Sequence, residues 1–459
     1  MNNIKSIDAF FNPESIAVIG ASNSKGSVGY TIFQNLKNAK AKKIYPVNPK
    51  RKNVQGIKAY DSINKINGKI DLAVIAIKSE FVPIELENCM KMKTKAVIIV
   101  SAGFSEIGET NLTGQIAELI KKYPGTRVMG PNCVGVLNKY SGVDTTFFER
   151  SRMKMPKKGS LSFISQSGAL GSMILDWVAT QEFGVNKFAS YGNAMDVDES
   201  DLLEYFASDK DTKVITVYLE GARDGRKFFE IAKKVSKKKP IIVLKGGKSE
   251  ETRKAAASHT GSLAGSARVY DAVFKQAGII QADDLLDLFN IAKLMEQEPL
   301  PKGNRVQIIT NGGGFGIVAA DQIISNGLKL AKPSKKTLEK IRAYIPQITS
   351  ENPMDLLGDA TAFRYKKAIS ELVIDPNVDI LLVLALFNLP TLQEKNLWVM
   401  KKAKKTTNKP IIVCSIGSDY TERYLKKIEK AGFTTFEYPG LAARALKEMA
   451  TYAKFLKSN

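Results

Sequence analysis

The chain has 459 residues, room for about three domains of ~150 residues, and its 44% hydrophobic and 25% charged residues are ordinary for a globular protein. Basic residues outnumber acidic ones 68 to 46, a formal net charge of +22, but the lysines are spread along the chain without a recognition motif, which favours a polyanionic small ligand over nucleic acid. No apolar run approaches the ~20 residues that cross a bilayer, and Met1-Asn2-Asn3-Ile4-Lys5 lacks the shape of a signal peptide, so no membrane partner and a cytoplasmic location are expected.

In chain order, the apolar run Ser15 to Ile19 enters a turn that begins at Gly20 and ends at Gly29. Strands are predicted at Lys43 to Val47, Leu72 to Ile77, Ala96 to Val100 and Arg127 to Met129, and the pattern fades into an irregular stretch from Asn138 to Lys158. A second apolar run, Ser160 to Ile164, enters Ser165-Gln166-Ser167-Gly168-Ala169. It is followed by strands near Lys187 to Ala189, Val214 to Leu219 and Ile241 to Leu244. A run of small residues around His259 comes next, then a helix from about Ser266. The linker Glu296 to Gly303 precedes a third run, Arg305 to Ile309, which enters Thr310-Asn311-Gly312-Gly313-Gly314-Phe315-Gly316. Later strands are expected at Ile380 to Ala385 and Ile411 to Ser415. Alternating strands and helical patterns predict an α/β fold of three consecutive parallel-sheet units, 1–145, 159–295 and 303–459.

The three strand–turn–helix openings share one physical property. A Gly/Ser/Asn turn leaves backbone N–H groups free at a helix N-terminus, where the helix dipole also favours an anion. The first turn is not the dinucleotide GxGxxG, since its glycines fall at Gly20, Gly26 and Gly29 and it carries Ser22, Ser24, Lys25 and Ser27. An NAD site would place an acidic residue after the second strand. Here Asn48-Pro49 is followed by Lys50-Arg51-Lys52, which suits a phosphorylated ribose, as in NADP or coenzyme A. Ligands of such folds sit outside the carboxyl ends of the strands, which adds Ile77 and Ser101-Ala102-Gly103-Phe104 to the lining.

His259 is the one histidine of the chain. It lies in Ala255-Ala256-Ala257-Ser258-His259-Thr260-Gly261-Ser262-Leu263-Ala264-Gly265, without bulky apolar neighbours or partner ligands. Small neighbours suit an imidazole that accepts and passes on a chemical group, although a surface histidine on a flexible loop fits the same run. Cys89, Cys133 and Cys414 form no CxxC, so neither a disulfide framework nor a metal site is expected.

A family resemblance follows from several of these segments together. Gly20-Ala21-Ser22, Tyr45-Pro46-Val47-Asn48-Pro49, Ser101-Ala102-Gly103-Phe104 and Gly130-Pro131-Asn132-Cys133-Val134-Gly135 resemble the CoA-binding domain of the NDP-forming acyl-CoA synthetases, among them succinyl-CoA synthetase. The second unit matches through Ser165-Gln166-Ser167-Gly168-Ala169-Leu170, Leu219-Glu220-Gly221 and Ser258-His259-Thr260-Gly261-Ser262. The third matches through Asn311-Gly312-Gly313-Gly314 and Glu351-Asn352-Pro353-Met354-Asp355. Over nearly its whole length the chain resembles the alpha subunits of archaeal-type ADP-forming acetyl-CoA synthetases.

The resemblance implies a Rossmann-like CoA-binding domain followed by two flavodoxin-like CoA-ligase domains. In such enzymes an acyl-CoA and phosphate give CoA and an acyl phosphate, whose phosphoryl group passes to a histidine and then to ADP. Carried over, His259 would be the phosphorylated nucleophile and Glu220 the carboxylate that orients it. Ser165, Gln166, Ser167 and Gly168, with Asn311, Gly312, Gly313 and Gly314, would hold the phosphate. Gly20, Ser22, Lys25, Gly26, Asn48, Lys50, Ile77, Ser101, Ala102 and Asn132 would bind coenzyme A. No ATP-grasp domain is recognisable, so a separate ATP-grasp beta subunit is expected, in an α2β2 assembly, with Mg2+ and ADP or ATP on that partner. Two other readings stay open on the residues alone. One is an NADP-linked oxidoreductase, although no catalytic pair accompanies the first turn. The other is a non-catalytic CoA-binding regulatory protein, which would have no need of His259 and Glu220. The preferred carboxylic acid is not encoded in any of these motifs.

Overall fold

The computed structural model describes residues 3–39, 41–181, 183–249, 251–252, 267–348, 350–392 and 401–458. His259 lies outside the described residues. The chain divides into two compact units, Met1–Gln281 and Ala282–Asn459.

The first unit holds two large sheets. One is five-stranded and parallel, in the order Lys43–Val47, Ser15–Ile19, Leu72–Ile75, Ala96–Ile99, Arg127–Met129. Its inner strands are buried residue by residue, as strands covered on both faces require, and so their sequences are continuous apolar runs. In the other sheet Lys158–Ser165 lies between Val185–Ser190 and Val214–Leu219, with Ile241–Lys245 and Ile280–Ala282 beyond the latter. Both sheets therefore repeat the doubly wound order 2-1-3-4-5, in which the crevice for a ligand opens where the strand order reverses, beside the first strand. Helix N-termini are fixed by side-chain caps: Ser27 accepts from Tyr30 N–H, Ser167 from Leu170 N–H and Asp198 from Asp201 N–H.

The stretch after Met129 departs from expectation. Gly135–Asn138 is a strand that runs antiparallel to Val185–Ser190, and Val143–Asp144 pairs beside it. The crossing chain thus covers what would otherwise be the open edge of the second sheet. Four residues beginning with a glycine at φ 99° give almost no periodic signal, which is why the sequence reads there as irregular.

Other contacts weld the two sheets into one body. Phe11 from the N-terminal helix Asn3–Phe11 stacks on Tyr205 of helix Glu199–Ser208, with ring centroids 5.0 Å apart. Arg127, on the last strand of the first sheet, reaches Asp196 at 2.9 Å and Asp201 at 2.7 Å, and Lys227 then bridges Asp201 and Asp198 at 2.8 Å each. The guanidinium fork is suited to hold two carboxylates in fixed geometry.

The second unit carries one parallel sheet in the order Lys329–Leu330, Arg305–Thr310, Ile380–Leu384, Ile411–Cys414, Thr434–Phe436. Met354–Asp355 adds to the carboxyl end of Arg305–Thr310. The order is again 2-1-3-4-5. Helix Leu285–Gln297 belongs to this unit and packs on the C-terminal helix Pro439–Ser458. Among the described residues no helix is long and apolar enough to cross a membrane.

Candidate functional site

The first turn follows strand Ser15–Ile19 at the reversal point of its sheet. Gly20 has φ 92°, and a Cβ there would run into the carbonyl of Ala76 at the end of the neighbouring strand. A Cβ at Gly29 would in turn strike the Gly20 carbonyl, so both glycines are demanded by backbone approach. Ser22 Oγ accepts from Ser24 N–H at 3.0 Å. Asn48 Nδ2 donates to Ala21 O at 2.8 Å while its Oδ1 accepts from Lys50 N–H at 2.9 Å, tying the second strand's end to this turn. Lys25, Gly26 and Lys50 are exposed around it.

Next to this turn lies a cavity of about 500 Å³. Ile77, Ser101, Ala102 and Asn132, from strand ends of the first sheet, meet Gln166, Ser167 and Gly168, from the helix start of the second. Gly20, Ser22, Lys25, Gly26, Asn48, Lys50, Ser165 and Glu220 are not in its wall. Ser101 Oγ donates to Ile77 O at 2.5 Å and accepts from Ile77 N–H at 3.2 Å, locking two strand ends together. Asn132 holds a left-handed conformation at φ 57° and donates to Ser101 O at 2.9 Å through its backbone.

Sequence reasoning missed part of this wall. Asn193 lines the cavity and donates to Glu106 at 2.6 Å, and Glu106 accepts from Gly103 N–H at 2.5 Å. Burial raises the Glu106 carboxyl, but the hydrogen bonds from Gly103 and Asn193 outweigh it and hold the group below its ordinary range. Neither residue stands in a glycine-rich turn, so no local signal marks them. Cys133 also lines the cavity, and burial pushes its thiol up to about 12, which keeps it protonated and a poor nucleophile.

Behind the cavity wall, the second sheet's reversal point lies between Ser165 and Leu219. Gln166, 8% exposed, turns its Oε1 to accept from Glu220 N–H at 2.8 Å and Gly221 N–H at 3.1 Å. Glu220 is 7% exposed, and Tyr218 donates to its carboxylate at 3.3 Å. Burial, followed by the Glu220 charge, raises the Tyr218 hydroxyl, so it remains a donor. Helix Gly168–Val178 starts here with Ser167 as its cap. A Cβ at Gly168 would press on Val134, so the glycine brings the helix start close to the first sheet's strand ends.

The second unit, taken by itself, builds a similar turn. Asn311, 1% exposed, accepts from Leu386 N–H at 2.9 Å through Oδ1. Its Nδ2 is buried and has no hydrogen-bond partner among the described residues. Thr310 Oγ1 accepts from Gly312 N–H at 3.0 Å, and helix Gly313–Ser325 begins at Gly312 without a side-chain cap. Asn352 pins the segment beside it, accepting from Ile308 N–H at 3.1 Å and donating to Val306 O at 2.8 Å and Ala331 O at 3.0 Å. This leaves a helix N-terminus with uncapped N–H groups beside the Asn311 Nδ2, which favours an anion, and the Asp355 carboxylate lies close to Gly313 and opposes one. Gly314, in the first turn of that helix, has open space where a Cβ would be.

Comparison with known proteins gives the family. Residues 14–139 match the CoA binding domain, residues 158–295 the succinyl-CoA ligase like flavodoxin domain, and residues 306–447 the ligase-CoA domain. The alpha subunit of an ADP-forming acetate–CoA ligase II of Pyrococcus furiosus is 43% identical over 98% of this chain and 98% of its own length. An ADP-forming acetate–CoA ligase of Methanocaldococcus jannaschii is 46% identical over 76% of this chain, but the match spans only 49% of that longer protein. Among solved structures, the dinucleotide-forming acetyl-coenzyme A synthetase 1 of Ca. Korarchaeum cryptofilum, in complex with phosphate and ADP, superposes with a TM-score of 0.91 at 33% identity. That match covers 98% of this chain and 97% of the solved one.

Proposed function

The chain belongs to the alpha-subunit family of the ADP-forming acetate–CoA ligases, and from that premise we propose that it converts acyl-CoA, phosphate and ADP to carboxylic acid, CoA and ATP in reversible steps. The carrying observation is the cavity in which Ile77, Ser101, Ala102 and Asn132 face the helix start at Gln166, Ser167 and Gly168, backed by Glu220. Coenzyme A would lie along the carboxyl ends of the first sheet, with Gly20, Ser22, Gly26 and Asn48 shaping its path and Lys25 and Lys50 drawing in its phosphates. Its thioester would then reach a phosphate at the second sheet's helix start, where backbone N–H groups and the helix dipole stabilise the anion. The turn from Asn311 to Gly314 offers a second anion seat of the same kind.

A phosphate oxygen attacks the thioester carbon, the C–S bond breaks, and CoA leaves as the thiol. An imidazole nitrogen of His259 then attacks phosphorus, the P–O bond to the acyl group breaks, and the carboxylate departs. Glu220 accepts a hydrogen bond from the other ring nitrogen and fixes the tautomer. The phosphoryl group finally passes to the terminal phosphate of ADP. The relatives are named as alpha subunits, and we take the partner to be an ATP-grasp beta subunit in an α2β2 cytoplasmic enzyme. That subunit would hold ADP or ATP with Mg2+. The three family matches underlie a division of labour among units 1–145, 159–295 and 303–459.

The deciding experiment incubates the full chain with acetyl-CoA and labelled phosphate. A base-stable, acid-labile adduct should form, and His259→Ala should abolish it, together with ATP formation once the partner subunit is added. CoA affinity by calorimetry should stay within about twofold, because the strand-end contacts are intact. Near-native turnover by His259→Ala would overturn the mechanism.

A further inference from the structure

Glu220 can orient an imidazole only if its own backbone is held still, and side chains from neighbouring elements hold it. The turn 220–222 is gripped from three elements. Gln166 takes the N–H groups of Glu220 and Gly221 at 2.8 and 3.1 Å. Lys245, the last residue of strand Ile241–Lys245 and only 4% exposed, donates to the Glu220 carbonyl at 2.7 Å and also to Gly246 O. Tyr270, on helix Ala267–Ala277, accepts from Ala222 N–H through its hydroxyl at 2.9 Å. The Lys245 ammonium also lies 4.7 Å from the centre of the Tyr270 ring, so the two grips support each other. At Gly246 a Cβ would come within 2.7 Å of the Tyr218 hydroxyl, the group that donates to the Glu220 carboxylate.

We propose that Lys245 and Tyr270 are positioning residues for Glu220, fixing its turn from the strand that precedes His259 in sequence and from the helix that follows it. Both flanks of the phosphoryl-carrying segment then report to the same three peptide groups as the carboxylate that orients the carrier. The inference rests on the reading of Glu220 and His259 given above. Two features set these residues apart from ordinary packing. Lys245 brings a buried ammonium to the Glu220 and Gly246 carbonyls, a hold that no apolar residue packed in its place could provide. Among the described residues the Tyr270 hydroxyl accepts from one N–H, that of Ala222, and a phenylalanine at that place would fill the same space.

The test is a double-mutant cycle read by the rate of phosphohistidine formation on the full chain with acetyl-CoA and labelled phosphate. Tyr270→Phe, which keeps the ring, should slow labelling about 10-fold and Lys245→Met by up to about 100-fold, the range for partners that orient a reacting group. CoA affinity of Tyr270→Phe should match the parent chain, and its thermal midpoint should fall by no more than the loss of one part-buried hydrogen bond. In a Glu220→Gln background, Tyr270→Phe should cost almost nothing further, because the group it positions is gone. Full additivity in that background, or parental labelling by Tyr270→Phe, would overturn the proposal while leaving Glu220 in its role. Parental labelling by Glu220→Gln would instead overturn the reading beneath it. Should Lys245→Met not fold, Tyr270→Phe alone decides.

Discussion

After strand Lys158–Ser165 the amide of Gln166 crosses to the third strand of its sheet, and after strand Arg305–Thr310 the amide of Asn311 does the same. The two sheets share their strand order, so the crossing spans the same reversal point in each. What differs is what the amide holds. Gln166, one methylene longer, takes two N–H groups and fixes the backbone of a carboxylate, Glu220. Asn311 takes one N–H, and the residue it fixes is the apolar Leu386. The second sheet's turn therefore presents a held carboxylate, whereas the third presents N–H groups and an amide, with the Asp355 carboxylate close to Gly313. On the mechanism proposed above, one scaffold thus supports two tasks, and the side chain after the third strand decides which.

Removing the amides should expose that difference. Gln166→Leu strands two buried N–H groups, at about 1–3 kcal/mol each, and should cost about 2–6 kcal/mol in urea denaturation. Asn311→Leu strands one and should cost about 1–3 kcal/mol. Equal losses would mean that the Gly221 contact carries nothing and that the two turns are energetically alike. Only Gln166→Leu should also slow phosphohistidine labelling through Glu220.

A second contrast concerns buried carboxylates. Glu298, in the second unit, receives Lys404 at 2.7 Å and the N–H groups of Ile411 and Thr434 at 3.2 Å each. Glu298→Gln breaks that pair and should cost about 3 kcal/mol at pH 7. Glu199, in the first unit, is fully buried, and its neighbour Asp198 takes the Lys227 ammonium in its place. Burial, and then the Asp198 charge, raise its carboxyl from 4.5 to about 7. A raised carboxyl binds its proton more tightly folded than unfolded. The stability it confers is full below pH 4.5 and is lost as pH rises through 7, an effect on the order of 3 kcal/mol. Glu199→Gln, which carries no charge to bury, should therefore raise the thermal midpoint at pH 8 and lose that advantage at pH 5. A midpoint difference that does not change with pH would sink this assignment.

How much of this was legible in the sequence depends on the range of the contact. The three glycine-rich turns and the fully buried strands show themselves locally, because backbone approach demands Gly20 and two-sided burial demands apolar runs. The rule that ligands sit at strand ends singled out Ile77, Ser101 and Ala102, which do line the cavity. Strand Gly135–Asn138 was invisible because its partner lies about fifty residues away and its own four residues carry no pattern. Asn193, Glu106, Lys245 and Tyr270 act through hydrogen bonds across sheet and loop that no spacing encodes. Helix Leu285–Gln297 looks continuous in sequence with the expected unit 159–295, yet its buried face packs on helix Pro439–Ser458, whose position is known only once the chain folds.

The smallest expected effect sharpens the comparison most. Ser167 caps its helix by accepting from Leu170 N–H at 3.3 Å, whereas Gly312 has no side chain to do so. Ser167→Ala should cost about 1 kcal/mol, the usual loss for a serine cap. Gly312→Ala loses no cap, and its new Cβ would meet Leu386 Cδ1 at 2.5 Å, the free end of a flexible side chain. Its stability should stay within about 0.5 kcal/mol of the parent. Anion binding should respond in the opposite order. The methyl at 312 stands beside the uncapped N–H groups and the Asn311 Nδ2, which has no partner among the described residues, so it should weaken phosphate affinity without unfolding anything. At 167 the hydroxyl occupies only the Leu170 N–H, so its loss leaves the earlier N–H groups of the helix free for the ligand. Phosphate titrations followed by the thermal midpoint separate the two. If Ser167→Ala loses more phosphate affinity than Gly312→Ala, the third sheet is no anion seat, and its resemblance to the second is one of folding alone.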